Sequence, residues 1–383
     1  MIPFDYQPIT RMVFGPGKIA SLGSLATELG GRRAMVVSDA GVIAAGHAAR
    51  GLESLTAAGL ETVLYQGVHE NPSTEDVERG TAFAREFAPD ILVGLGGGSS
   101  MDCAKGVNFL LTNGGRMQDY WGVGKAKLPM LPMIAVPTTS GTGSESQSFA
   151  LISDAQTHAK MACGDKKAAF KVAILDPVLT LTQPPRVTAL TGIDAISHAL
   201  ESHVTTKRNA ASQAFSREAW RLLARGFTQV LRQPGDLEAR GDMQLGACLA
   251  GLAIENSMLG ATHALANPLT AEYGIAHGQA IGLMLPHVLR FNGLVMSDQY
   301  AQLLEAVVGI PGLPPPSSGV AGLADFVGGL VNAANLPTRL RDCHVAQERL
   351  PKLAEFAAKQ WTGTFNPRPV GPTELLALYE QAF

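Results

Sequence analysis

The chain has 383 residues, more than one ordinary domain uses and enough to bury polar chemistry in a core. Its 30 basic and 33 acidic residues leave a formal charge of −3 with no block of like charge, so nothing attracts nucleic acid or an anionic membrane, and small-molecule chemistry is the expectation. Cys103, Cys163, Cys248 and Cys343 lie too far apart for a disulfide framework or a thiolate zinc site, and they fit a reducing cytoplasm.

The start, MIPFDYQPIT, has an acid and a proline and no apolar run behind a basic segment, so it does not read as a secretory signal. From there to about residue 180, short apolar runs alternate with helical patterns, which predicts a layered α/β unit with a largely parallel sheet. The strand candidates are AMVVSD (34–39), ETVLYQ (61–66), DILVGLGGG (90–98), PMIAVPTT (132–139) and KVAILD (171–176). Between them IASLGSLATEL, AARGLESLTAAG, STEDVERGTAFAREF and SMDCAKGVNFLLTN repeat apolar residues at three and four, as amphipathic helices do. From Pro184 onward the alternation stops and long helical periods follow, among them RVTALTGIDAISHALESHV and SREAWRLLARGFTQVL. Prolines between Asp176 and Pro185 mark the join, giving an α/β domain over 1–180 and an all-helical domain over 181–383. Leu245 to Thr270 carries one formal charge, yet Glu255, Asn256, His263 and Asn267 would be costly in lipid, so it is read as a helix buried in a protein core. PGLPPPSSG (311–319) reads as an exposed loop.

DILVGLGGGSSMDCAK runs from a strand through a glycine turn into a helix. Such a turn lets the backbone approach a phosphate, and the helix offers it free N–H groups, with Ser99 and Ser100 as further donors. The run does not match G-x-G-x-x-G, so a tight turn without a ligand stands beside that reading. Asp39, at the end of AMVVSD, is placed either to bond ribose hydroxyls and repel a 2′-phosphate or to cap the next helix. VPTTSGTGSE (136–145) is a second strand end rich in hydroxyls and glycine.

GIDAISHALE sets Asp194 and His198 four apart on one helical face, the spacing of a two-point metal clamp. His263 and His277 follow in nearly uncharged helical surroundings. Three imidazoles and one carboxylate suit Fe²⁺ or Zn²⁺ and leave room for a substrate oxygen. A single buried histidine is more often structural, but these four residues form a set in a chain with nine histidines. His47, His69, His158, His203, His287 and His344 lack such a setting and are read as surface or structural.

Over essentially its whole length the sequence resembles the iron-containing alcohol dehydrogenase family, of dehydroquinate synthase-like fold. The most specific segment is ILDPVLTLTQPPRVTALTGIDAISHALE (174–201). GLGGGSSMD, AVPTTSGTGSE, GLAIENSMLGATHALANPLTAEYGIAHGQAIGLMLPHVLRFN and NPRPVGPTELLALYEQAF match further landmarks in order. The resemblance implies an N-terminal Rossmann-like dinucleotide-binding domain and an all-α C-terminal metal-binding domain. It implies Asp194, His198, His263 and His277 as metal ligands, Asp39 near the adenosine ribose, Gly97, Gly98 and Ser99 at the pyrophosphate, and Thr138 and Thr139 beside the cofactor. Asn71, Phe149, Lys160 and Leu179 also fall where relatives touch the dinucleotide. In one departure, Asn267 stands where many members carry a histidine suspected of relaying protons, which puts a histidine relay in doubt.

The expected activity is hydride transfer between NAD, rather than NADP, and a small primary alcohol, diol or aldehyde, assisted by Fe²⁺ or Zn²⁺. A homodimer or higher homo-oligomer in the cytoplasm is expected from the family, with RMVFG (11–15) as the pairing strand. The rivals are a metal-independent reductase of the maleylacetate type, which lacks the full ligand set, and a cyclising lyase like dehydroquinate synthase, which needs a basic cluster absent here. A non-catalytic assembly protein has no need of both a ligand quartet and a glycine turn.

Overall fold

In the N-terminal half, apolar runs rich in Val, Ile and Leu form strands whose two faces are both covered, so their burial is continuous rather than alternating. The computed structural model describes residues 2–383 except His158 and Pro311. Among the described residues the strands are β1 (Arg11–Phe14), β2 (Arg33–Asp39), β3 (Glu61–Val68), β4 (Ile91–Gly96), β5 (Gly122–Val123), β6 (Met133–Pro137), β7 (Phe149–Ser153), β8 (Lys160–Gly164) and β9 (Val172–Leu175). The helices of this half are α1 (Leu22–Glu28), α2 (Ala40–Ala44), α3 (His47–Ala57), α4 (Thr74–Phe87) and α5 (Gly98–Asn113).

Six strands make one sheet in the order β1-β9-β6-β4-β2-β3, with every pairing parallel. The chain leaves β2 outward to β3 and leaves β4 in the opposite direction toward β6. The carboxyl ends of β2 and β4 therefore flank a topological switch point, where open α/β sheets bind ligands. Val37 pairs with Gly94, so Asp39 and the glycine turn end adjacent strands. A smaller sheet, β5-β8-β7, was not among the expected strands. β5 has two residues, and β7 and β8 carry glycine, serine and lysine instead of a branched run. Buried Lys105 of α5 reaches toward this sheet, donating to the Ser144 carbonyl, the Ser144 hydroxyl and the Phe149 carbonyl, each at 2.8 Å.

From Pro184 the described elements are helical: α6 (Pro185–Val204), α7 (Ala210–Arg232), α8 (Leu237–Glu255), α9 (Ala261–Tyr273), α10 (His277–Glu305), α11 (Gly319–Ala333), α12 (Leu350–Ala357) and α13 (Pro372–Ala382). Pro185 opens α6, where its missing N–H costs nothing, and Asn209 and Asp236 cap α7 and α8. Ile193, Trp220, Phe227, Leu285, Tyr300 and Tyr379 are fully or almost fully buried in one core. Its polar edges are satisfied: Trp220 Nε1 donates to the Leu303 carbonyl at 3.0 Å and Tyr379 Oη to that of Leu265 at 2.6 Å. The apolar stretch from Leu245 to Thr270 is two helices rather than the single helix expected, because α8 stops at Glu255 and α9 begins at Ala261 beyond a Ser-Met-Leu-Gly segment. Among the described residues one helix, α10, is long and apolar enough to cross a membrane, and its Ala280, Ile281, Met284 and Leu285 are buried in the helical core.

The chain divides into two compact units. One comprises Gln7–Thr139 with Gly143–Gln183; the other comprises Pro184–Phe383, the segment Ser140–Thr142 and the N-terminal residues through Tyr6.

Candidate metal centre and glycine turn

Within the helical unit, α6 presents Asp194 and His198 one turn apart, α9 presents His263 on its first turn, and α10 opens on His277. All three imidazoles aim Nε2 at one atom, Asp194 Oδ1: His198 at 3.3 Å, His263 at 3.6 Å and His277 at 3.6 Å. Asp194, His263 and His277 each offer a ligand atom within 4.8 Å of the others, and His198 joins them through the same carboxylate oxygen. The His198 and His263 rings stack with centroids 5.0 Å apart. Metal–ligand bonds of about 2.0–2.2 Å put the corners of a tetrahedron about 3.3–3.6 Å apart, so the three distances from Asp194 Oδ1 to the imidazoles are those between donors around one ion.

Asp194 Oδ1 and His263 Nε2 are buried without a hydrogen-bond partner, which is costly unless a cation lies between them. The residues present thus fit a metal. The His277 side chain is 31 % exposed against 6–9 % for the other three, so the set keeps one accessible side. Burial opposes ionisation of Asp194, but the charge of His198 and the other imidazoles outweighs it and holds the carboxyl below the usual carboxylate range. Burial lowers His198, with Asp194 offsetting only part of the effect. For His263 burial is overcome by Glu201 and Asp194, which push the imidazole up to about 9. The site attracts positive charge, and a proton and a metal ion compete for it.

Sequence reasoning stopped at His198 and missed Glu201, although Asp194, His198 and Glu201 continue the same i, i+4, i+7 stripe along α6. Glu201 is buried; one oxygen lies 2.5 Å from His263 Nδ1 and the other accepts from the Thr262 amide at 2.7 Å. Asn267 lies one turn beyond His263 on α9, and its Nδ2 donates to Gln360 Oε1 at 3.0 Å.

Residues 9–177 match the iron-containing alcohol dehydrogenase family, and residues 188–383 match the C-terminal part of the Fe-containing alcohol dehydrogenase family. The chain belongs to the iron-containing alcohol dehydrogenases. It is 33 % identical to 1,3-propanediol dehydrogenase of Klebsiella pneumoniae, over 99 % of both chains. A crystal structure of 1,3-propanediol oxidoreductase superposes with a TM-score of 0.94 at 33 % identity, covering 100 % of both chains. Sulfoacetaldehyde reductase from Bifidobacterium kashiwanohense, solved in complex with NAD⁺, superposes at 0.90 with 25 % identity, over 100 % of this chain and 99 % of that one.

In this iron-containing alcohol dehydrogenase, the α/β unit gathers several of the residues expected at a dinucleotide. Gly97 precedes α5 in extended conformation and Gly98 is its first residue. Gly96 has a φ of +152°, and a Cβ there would stand 2.4 Å from Ser100 Oγ, so glycine is required. Asp39 takes the capping role: Oδ1 accepts from the Gly41 and Val42 amides at 3.0 and 3.1 Å, while Oδ2 accepts from Ser100 Oγ at 3.1 Å. Ser99 Oγ accepts from the Asn71 amide at 3.2 Å, and Lys160 Nζ donates to Asn71 Oδ1 at 3.3 Å. The Thr138 amide donates to the Gly96 carbonyl at 2.9 Å, and Thr139 lies beside Gly97. Phe149 lays its ring over Gly164, and Leu179 is wholly buried in the sheet core among Ile19, Val136 and Ile174, so its side chain does not join the others.

The remaining histidines divide as follows. His47 and His203 are buried against Thr182 and Ser216, His69 pairs with Asp76, His287 is half-buried, His344 is exposed, and His158 lies outside the described residues. All four cysteines are free thiols.

Proposed function

We propose that this chain is a metal-dependent oxidoreductase moving hydride between a nicotinamide dinucleotide and a small primary alcohol, diol or aldehyde. The observation that carries the reading is the convergence of three imidazole nitrogens on Asp194 Oδ1 at 3.3–3.6 Å, with that oxygen and His263 Nε2 buried and unpartnered. In this reading Asp194, His198, His263 and His277 hold Fe²⁺, and the same donors accept Zn²⁺. A bound ion would supply Lewis acidity at the substrate oxygen, and the dinucleotide the hydride chemistry.

The protein's own work is placement and charge. Gly97, Gly98 and Ser99 open α5 and offer N–H and hydroxyl donors to a pyrophosphate. Asp39, beside them at the switch point, adds negative charge that favours NAD over NADP. Asn71, Lys160, Thr138 and Thr139 surround the same turn, while Phe149 and Leu179 rest on family resemblance alone. A relative solved with NAD⁺ supports the cofactor. Asn267 holds no titratable proton and its amide is bonded to Gln360, so it would not itself relay a proton and would leave proton release to groups other than a side chain at this position. The four free thiols support a cytoplasmic location. β1 lies at the sheet edge, which supports a homodimer or larger homo-oligomer.

The test is elemental analysis of anaerobically purified protein together with reduction of NAD and NADP by a panel of short alcohols and diols. About one Fe or Zn per chain with alcohol-dependent NADH formation is expected. Protein that holds no metal and shows no alcohol activity after reconstitution with Fe²⁺ and Zn²⁺ would move the reading to a metal-independent reductase.

A further inference from the structure

We propose that Glu201 is a positioning residue for the metal centre: it fixes the imidazole of His263 with its proton on Nδ1, and the start of α9 is built around that carboxylate. The inference rests on the metal-binding reading above. Its first support is the way α9 begins. A helix start leaves free amides that a Ser, Thr, Asp or Asn at the N-cap ordinarily satisfies. Here the N-cap is Gly260, which has no side chain to offer, and the amides are satisfied from elsewhere in the unit. Thr262 N donates to Glu201 Oε1 at 2.7 Å and Ala261 N to Asn366 Oδ1 at 3.2 Å. A Cβ at residue 260 would stand 3.0 Å from Glu201 Oε1 and 2.9 Å from Asn366 Oδ1. The glycine therefore makes room for the two outside caps.

The second support is donor and acceptor bookkeeping. A backbone amide only donates, so Thr262 commits Glu201 Oε1 as an acceptor. Glu201 Oε2 then meets His263 Nδ1 at 2.5 Å. An ionised carboxylate has no proton to give, so Nδ1 must carry it. In the neutral ring Nε2 is thereby left with its lone pair, directed at Asp194 Oδ1 3.6 Å away, and that pairing of two acceptors needs a positive charge between them, a proton in the metal-free protein or the metal ion that displaces it. One buried side chain thus sets the entry of α9 and the chemical form of the ligand that α9 carries.

Glu201→Gln separates the two roles, because an amide of the same shape cannot accept from both partners. If its oxygen keeps the Thr262 amide, its NH₂ faces His263 Nδ1 and drives the proton to Nε2, where it blocks metal. Asn366→Ala is the comparison: it removes the other outside cap of α9 and leaves the His263 partner untouched. The readouts are Zn²⁺ affinity by competition with a chromophoric chelator and the melting temperature of the metal-free protein. We expect Glu201→Gln to weaken Zn²⁺ binding about 10–100-fold, while Asn366→Ala lowers the melting temperature and keeps Zn²⁺ affinity within about twofold of wild type, since no ligand or ligand partner changes. Equal Zn²⁺ affinity in Glu201→Gln and wild type would overturn the role of Glu201 and leave the metal-binding reading standing. Equal losses in the two variants would reduce Glu201 to a helix cap. Wild-type protein that binds neither Zn²⁺ nor Fe²⁺ would overturn both readings together.

Discussion

Asp194 is the residue on which the candidate centre turns, because its Oδ1 is the one atom that all three imidazoles face. Asp194→Ala leaves three histidines without their shared anion. The protein is expected to purify with less than about a tenth of an atom of metal per chain and without alcohol turnover. Because Asp194 and the glycine turn belong to different units, NAD affinity by fluorescence titration should stay within about twofold of wild type. Asp39 carries a different consequence. Its side chain caps α2 and accepts from Ser100, so Asp39→Gly should cost a few tenths of a kcal/mol through the lost cap. The same change should relax discrimination against NADP, read as the ratio of kcat/KM for the two cofactors; an unchanged ratio would remove Asp39 from the ribose site. Asn267 tests the proton route, since an amide bonded to Gln360 has nothing to titrate. Asn267→His should add a limb to the pH–rate profile near the ordinary histidine value of about 6.5, whereas Asn267→Ala should add none.

Elements place these residues, and their contacts set how much displacement the centre tolerates. Gly278, directly after His277, lies so close on α6 that a Cβ there would stand 2.1 Å from the Leu190 carbonyl oxygen. Gly278→Ala must push the start of α10 away from α6, and with it His277 from Asp194. A loss of about 1–3 kcal/mol in stability is expected from overpacking. Weaker metal retention should accompany it, measured by dialysis against a chelator. A variant that keeps its metal and loses only stability would mean that His277 contributes little to binding. At this scale the sequence was readable where a pattern had length. Strands β2, β3, β4, β6 and β9 and the first helices followed from apolar runs of ordinary size. The break between α8 and α9 did not, because its signal is one glycine whose reason lies in Glu201 and Asn366, distant in sequence.

For the whole molecule, the change from alternating to purely helical pattern near Pro184 was legible from composition and periodicity, and the strand order was not, because crossovers leave no local trace. The candidate quartet was named from spacing within α6, from the scarcity of charge around His263 and His277 and from the family resemblance, and the fold brings the four side chains together around Asp194 Oδ1. Glu201 passed as one more acid on an amphipathic helix, since its meaning depends on a neighbour 62 residues on. The edge strand β1 supplies a prediction of its own. Among the described residues it pairs only with β9, and Phe14 is 43 % exposed. In the proposed homo-oligomer, Phe14→Lys should shift the light-scattering mass toward monomer, because charge on an edge strand opposes pairing, and an unchanged mass would remove β1 from the subunit contact.

The segment Ser140–Thr142 has a meaning for how this gene can be divided. The polypeptide changes unit after Tyr6, after Thr139, after Thr142 and again after Gln183. Gly141, inside that borrowed segment, lies so near Thr191 of α6 that a Cβ would stand 2.5 Å from the threonine's own. A reading frame opened at Pro184 therefore encodes helices that lack part of their own packing, and a frame closed at Gln183 carries the missing piece away. A single crossover at Pro184 therefore parts Ser140–Thr142 from the helices against which that segment packs, and a chimera joined there needs a matching residue 141 from the other parent.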